Sequence, residues 1–191
     1  SLGQFRLHGM LNLERQFSDN LLQTLEPQIQ YLVVPYKDQS EINFYDTALL
    51  RDDYYGLFRA RRFSGLDRIA DTDQVTLGVT TRIKDLNNHE SLKLSVGQTF
   101  YLSQSKMARS EDISTAQLNN RSALAGELDF NLDNLWYVSQ AIQLNQKQSE
   151  ITQSKSAIDY RPSDNKLVQF SHRYVKEINN GKINQLGMQA V

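Results

Sequence analysis

The 191-residue chain has no cysteine. That removes a disulfide framework, a thiolate metal site and a cysteine nucleophile, and leaves the redox compartment open. It also lacks an excess of either charge: 21 Lys and Arg stand against 22 Asp and Glu, a net charge of −1. No field draws it towards nucleic acid or an anionic membrane surface. No stretch approaches the roughly 18 apolar residues of a spanning helix, and SLGQFRLHG has no signal-peptide apolar core. A helical membrane protein is excluded, but a strand crosses a bilayer with about 10 residues, half of them apolar. No GxSxG, P-loop or glycine-rich nucleotide turn occurs. With no nucleophile to pair with a base, no catalytic residue and no cofactor is expected, and the chain reads as a non-enzyme.

What the chain does contain is alternation. Val75, Leu77, Val79 and Ile83 share one face of QVTLGVTTRIK, and Thr76, Gly78, Thr80, Arg82 and Lys84 share the other. Phe5, Leu7, Leu11 and Leu13 repeat the pattern in FRLHGMLNLE, as do Leu25, Ile29, Tyr31 and Val33 in TLEPQIQYLVV. Leu92, Leu94, Val96 and Phe100 alternate likewise, then Leu128, Phe130 and Leu132, then Trp136, Val138, Ile142 and Leu144. Weaker copies cover 154–161, 166–175 and 182–191. Period two repeated this often predicts an all-β antiparallel meander of about nine or ten strands. Pro27 lies inside one run and lacks a ladder donor, which predicts a bulge there.

Turn signals divide by length. Ser18-Asp19-Asn20, Leu86–His89, Asp133-Asn134 and Pro162–Asn165 are tight. The connections 35–73 and 103–120 are long, and 147–153 and 176–181 are intermediate. Successive hairpin connections fall at opposite ends of a meander, so the short turns collect at one end. Outer-membrane barrels share that asymmetry. Aromatics gather near strand ends, at Phe17, Tyr31, Tyr36, Phe100, Tyr101, Trp136, Tyr137 and Tyr174, as an interfacial girdle requires. The runs also exceed the 5–6 residues typical of globular strands. Two other architectures write the same alternation: a soluble β-sandwich binding module, with Leu77, Leu94 and Phe130 between its sheets, and a porin-like diffusion channel. On the barrel reading the charged faces line a wet lumen. Candidate lumen residues are Arg6, Glu26, Arg82, Lys84, Lys93, Glu127, Asp129 and Arg173. His8, His89 and His172 have no metal-ligand spacing and read as lumen or turn residues.

The connection 35–73 is too long for a simple turn and too aromatic for disorder. Within it, DTALLRDD suits a helical turn capped by Asp46 or Thr47. Arg59, Arg61, Arg62 and Arg68 lie near Asp52, Asp53, Asp67, Asp71 and Asp73, so ion pairs inside the loop are expected.

LEPQIQYLVVPYKDQSEINFYD, DDYYGLFRARRFSGLDRIADTDQVTLGVTTRI and LSVGQTFYLS resemble the barrel of the LPS-assembly protein family, also known as organic solvent tolerance protein. The likeness is dense from Leu25 to Ser103 and looser through SAIDYRPSDNKLVQFSHRY. It implies that residues 1–191 form one partial domain, an interior segment of a large transmembrane β-barrel in the bacterial outer membrane. It further implies transport of lipopolysaccharide into the outer leaflet, with a lipoprotein plugging the lumen, outer-membrane lipid around the wall, and no nucleic-acid partner. A long outer loop of the family contacts that plug. By position the matching residues are Phe44, Tyr45, Asp46, Leu50, Tyr54, Tyr55 and Phe58.

Overall fold

The computed structural model describes residues 3–37, 53–60, 71–103, 120–163, 165–176 and 181–191. They form one antiparallel sheet of ten strands. In chain order these are β1 (Phe5–Met10), β2 (Leu13–Ser18), β3 (Leu21–Val34), β4 (Thr72–Asp85), β5 (Glu90–Tyr101), β6 (Leu124–Leu132), β7 (Trp136–Asn145), β8 (Glu150–Ser163), β9 (Lys166–Lys176) and β10 (Lys182–Ala190). Among the described residues of the β3–β4 connection, Gly56–Phe58 forms a 3₁₀ turn. From β3 onward each strand pairs with its sequence neighbour. No described helix is long and apolar enough to cross a membrane, which says nothing of strands.

FRLHGMLNLE is two strands rather than one, and Pro27 explains the break. β1 and β2 both pair with β3 in one register, Met10 opposite Gln28 and Leu13 opposite Leu25. Between them the Leu11 N–H donates to the Pro27 carbonyl at 3.0 Å. The reciprocal bond is missing because proline has no N–H. The expected bulge at Pro27 is therefore corrected: β3 runs straight through, opposite Val79 of β4, and the facing strand splits instead. Irregularities fall elsewhere, as between Gln16 and Ser18 and between Tyr160 and Ser163.

The tight turns lie where expected. Asp133 and Asn134 both take positive φ, 52° and 56°, and the Leu135 N–H closes the turn on the Leu132 carbonyl at 3.1 Å. In the β4–β5 turn the Asp85 carboxylate accepts the His89 N–H at 2.8 Å, and Asn88 adopts φ 65°. The strands are longer than the alternation indicated, so two connections shrink: β7 and β8 are joined by 146–149 alone. The length asymmetry rests on 35–71 and 102–123.

Burial in this sheet is inverted relative to a soluble protein. Leu77, Leu94 and Phe130 are 44, 43 and 40 % exposed, whereas Gln30, Thr76 and Ser95 are fully covered at 0 %. There is no second sheet among the described residues to sandwich the apolar side chains, so the β-sandwich reading fails. Aromatic pairs sit towards both ends of the exposed apolar face: Phe5 with Tyr31 at 6.3 Å and Trp136 with Tyr160 at 4.6 Å between centroids.

That apolar face runs diagonally across the pairing. The row Arg15–Gln23–Ile83–Leu92–Phe130–Val138–Ile158–Phe170–Met188 starts polar and turns apolar. The row Pro27–Val79–Val96–Gly126–Ile142–Ser154–Tyr174–Asn184, nearer the long connections, starts apolar and turns polar. The apolar band thus drifts by about one residue per strand towards the short turns.

Pro27→Ala supplies the absent donor. In the intact protein, hydrogen exchange should reveal a newly protected amide at residue 27 and slower exchange at Leu11 and Asn12. The gain should be about 0.5–1.5 kcal/mol, the net worth of one hydrogen bond. Unprotected exchange at residue 27 would contradict the explanation of the split.

Candidate functional site

The polar face of β3–β6 carries the most buried part of the molecule, and the element that buries it is the loop segment 53–60. Its residues Tyr54, Leu57 and Phe58 form, with Ala125 of β6, a small apolar cluster. The segment is shaped locally by Asp53, whose carboxylate accepts the Gly56 N–H at 2.6 Å and pairs with Arg59 at 2.9 Å. Its carbonyl accepts the Leu57 N–H at 3.0 Å. The Arg59–Asp53 pair is one of the ion pairs expected within the loop.

Tyr54 is the hub. Only 1 % exposed, it accepts hydrogen bonds at its hydroxyl from Gln28 Nε2 of β3 at 2.7 Å and Thr80 Oγ1 of β4 at 3.0 Å. Its backbone N–H donates to Glu127 Oε1 of β6 at 3.2 Å. Thr80 in turn meets Ser95 Oγ of β5 at 2.9 Å. One residue thereby ties the loop to four strands. Further along, Arg6 of β1 donates to the Phe58 carbonyl at 3.1 Å and to Gln30 Oε1 at 2.7 Å. Thr76 donates to the Leu57 carbonyl at 3.2 Å. The loop's own carbonyls are answered by side chains of the sheet, as buried backbone groups require.

Two glycines make room for this packing. Gly78 and Gly97 stand opposite each other across β4 and β5. A Cβ on Gly78 would lie 2.7 Å from Phe58 Cζ and 3.0 Å from the Tyr54 hydroxyl. One on Gly97 would lie 3.0 Å from both Tyr54 Cε2 and the Leu77 carbonyl oxygen. The pair is a flat cradle in an otherwise side-chain-covered surface, and the aromatic rings occupy it.

All eight candidate lumen residues face this side of the sheet. Arg82 is held between Glu26 at 2.9 Å and Glu90 at 2.6 Å, and Lys93 pairs with Asp129 at 2.9 Å. Lys84 follows Arg82 on the same face, and Arg173 lies on β9 opposite Lys155. Sequence reasoning missed Glu90, Gln28, Thr80 and the glycine pair; their only signal was membership of the polar face. Of the loop candidates, Phe44, Tyr45, Asp46 and Leu50, with the helical turn capped by Asp46 or Thr47, lie outside the described residues. Tyr54 and Phe58 point into the sheet. Tyr55 points away, 55 % exposed, with the Lys93 ammonium 5.0 Å from its ring centre.

The histidines divide. His8 is on the polar face beside Gln28, at 3.2 Å, and near the Phe58 ring, while His89 is in the β4–β5 turn. His172 departs from the expectation of a lumen or turn residue. It shares the face of Phe170 and Ile158, opposite Ser156 and Leu186, and contacts Asn184 at 2.7 Å. That part of the face lies beyond the apolar band. No group of three His, Asp or Glu side chains among the described residues is placed to hold a metal.

Filling the cradle tests the clamp. In the intact protein, Gly78→Val should displace segment 53–60 and cost about 1–3 kcal/mol, as overpacking does. Melting temperature and proteolysis near Arg59 read it out; unchanged protease resistance would contradict the packing. Tyr54→Phe, which removes the acceptor shared by part-buried Gln28 and buried Thr80, should cost about 1–3 kcal/mol.

Comparison with known proteins places this sheet in a family. The family model for LPS transport system D matches residues 1–191. The LPS-assembly protein LptD of Shewanella oneidensis is 50 % identical over 189 residues, covering 97 % of this chain and 25 % of that protein. Those of Shewanella denitrificans and Pseudoalteromonas atlantica are 46 % and 44 % identical, covering 99 % and 100 % of this chain and 26 % and 25 % of theirs. The chain thus spans about a quarter of the length of the relatives it matches. Matched from its first residue to its last, it belongs to the LPS transport system D (LptD) family.

Proposed function

We propose that this chain is a wall segment of an outer-membrane β-barrel that delivers lipopolysaccharide to the outer leaflet. The single observation that carries this reading is the inverted burial: an exposed apolar band backed by a polar, loop-covered face. In hydrocarbon the first is solvated by acyl chains, and between the two edge strands the backbone groups pair with a neighbouring strand except at the Pro27 defect. The diagonal course of the band fits as well. A drift of one residue, about 3.3 Å, per strand spacing of about 4.8 Å corresponds to strands tilted by about 35°, within the range of barrel strands. On this reading residues 1–191 are one partial domain of a larger barrel. Arg6, Glu26, Arg82, Lys84, Lys93, Glu127, Asp129 and Arg173 line its water-filled interior. No step of the task requires bond making; the wall separates a path for sugar and phosphate from a surface for acyl chains.

On this reading the connection 35–71, whose segment 53–60 lies on the polar face, is where a plug lipoprotein meets the wall. Tyr54 and Phe58 then serve as its anchor, and Tyr55, with Phe44, Tyr45, Asp46 and Leu50, as the surface offered to the partner. Export of lipopolysaccharide by the intact protein, reconstituted with its lipoprotein, should stop when residues 40–62 are deleted. Normal arrival at the outer leaflet would remove the loop from the mechanism. Tyr55→Ala should reduce co-purification of the lipoprotein while costing the protein only about 0.5–1 kcal/mol, the worth of its half-exposed contacts with Lys93 and Tyr54.

The membrane assignment has its own test. Val79→Arg, near the middle of the apolar band, should destabilise the inserted protein by about 2–4 kcal/mol and reduce its folded yield in the outer membrane. Folding unchanged by this arginine would argue that the face meets water.

A further inference from the structure

The polar face has two unlike halves. Over β3–β6 its surface is roofed by segment 53–60, and Arg82 and Lys93 sit against carboxylates. Over β7–β10 no described loop covers it. There Lys155 of β8 and Arg173 of β9 stand directly opposite each other, both exposed. Neither has an ion-pair or hydrogen-bond partner among the described residues. Their row runs Glu127–Ala141–Lys155–Arg173–Gln185. The carboxylate of that row is two strands from Lys155, and it already accepts the Tyr54 N–H.

Like charges directly opposite in a sheet repel and cost stability. Elsewhere on the same face the chain meets this cost with acids; here it places other groups. Gln143, Gln153 and Gln185 surround the two cations with amide donors, and Ser139 and Ser171 add hydroxyls on the next row. Of the other neighbours Ala141, Ala157 and Gly187 are small, and buried Val175 with Ile183 closes the side towards Gln153. Cations on directly opposite residues, beside neutral donors and lacking a counter-ion among the described residues, are complementary to a multiply charged oxyanion. A phosphate group fits best, since a guanidinium fork and an ammonium can share its oxygens.

We propose that Lys155 and Arg173 form a binding site for the phosphate groups carried on the sugar head of the transported lipopolysaccharide. The site rests on the transport reading given above and specifies where, on the open half of the interior, the head group is held. A resident counter-ion would block such a site, which accounts for the missing acid. The roofed half, with its charges already neutralised, would steer the anion towards β8 and β9.

The test uses the intact protein with its lipoprotein in proteoliposomes, carrying a photoreactive amino acid in place of Ala157. During transport it should capture phosphorylated lipopolysaccharide. K155Q/R173Q should reduce capture by about tenfold or more, the worth of one or two charge-assisted hydrogen bonds. K155R/R173K should restore it, and lipopolysaccharide stripped of phosphate should be captured poorly by the unaltered protein. K155Q/R173Q should melt no lower than the parent, because a repulsion is removed. A lower melting temperature would assign the pair a structural role and overturn the site. Equal capture by K155Q/R173Q and parent, with export intact, would also overturn it while leaving the transport reading standing. Protection of Lys155 from acylation by inorganic phosphate, without capture of lipopolysaccharide, would make the ligand free phosphate and refute the head-group assignment. Absence of export by the unaltered intact protein with its lipoprotein would instead refute the transport reading itself.

Discussion

A strand has two faces, and whichever is covered by protein must satisfy the great majority of the polar groups it presents. In this sheet the covered face is the polar one. Gln30, Thr76, Ser95 and Thr99 are among the most buried of the described residues; hydrogen bonds between strands and up to the loop answer the three hydroxyls and Gln30 Oε1, while Gln30 Nε2 has no partner among the described residues. That requirement selects the small hydroxyl side chains of β4 and β5, whose reach matches the cross-strand spacing. It also places the apolar side chains on the side where no protein covers them. A sheet arranged this way in water would expose a greasy surface far larger than soluble monomers carry. Against acyl chains it is at home.

The loop segment 53–60 follows from the same constraint. A roof over a polar floor cannot be held by hydrophobic burial alone, so it is held by one phenol and several carbonyls, each matched to a donor below. Gly78 and Gly97 lower the floor under the rings, and Asp53 bends the segment so that Tyr54 and Phe58 descend together. Over the other half no described segment forms such a roof, and Lys155 and Arg173 have no ion-pair partner among the described residues. The two halves therefore do different things: one fixes a loop, the other remains open to a passing anion.

Much of the fold was legible in the alternation, because period two survives whichever solvent each face meets. The strand count, the Asp133-Asn134 hairpin and the polar-face assignment of Arg82, Lys93, Glu127 and Asp129 follow from local pattern. What was not legible depends on residues distant in sequence. Nothing near Gly78 signals that Phe58 will rest on it, and nothing near Tyr54 names Gln28 and Thr80 as donors. Pro27 was recognised as a ladder defect, yet the defect appears in the facing strand, whose identity no local rule supplies. His172 looked like a lumen residue because polar side chains on a strand normally face inward. It lies outward because the apolar band crosses the strands diagonally and has already passed below it in β9. Lys155 was overlooked since its significance is its neighbour, Arg173, rather than its own position.

The most direct measurement is the solvent met by each face of the sheet. A small environment-sensitive fluorescent amino acid is placed singly at Leu77, Val79 and Leu94, and separately at Lys155 and Arg173, in the intact protein in bilayers. Brominated lipid should quench the first three strongly and the last two scarcely, and a water-soluble quencher should do the reverse. Quenching of Leu77 and Val79 by the aqueous reagent, with no effect of brominated lipid, would contradict the account at its root.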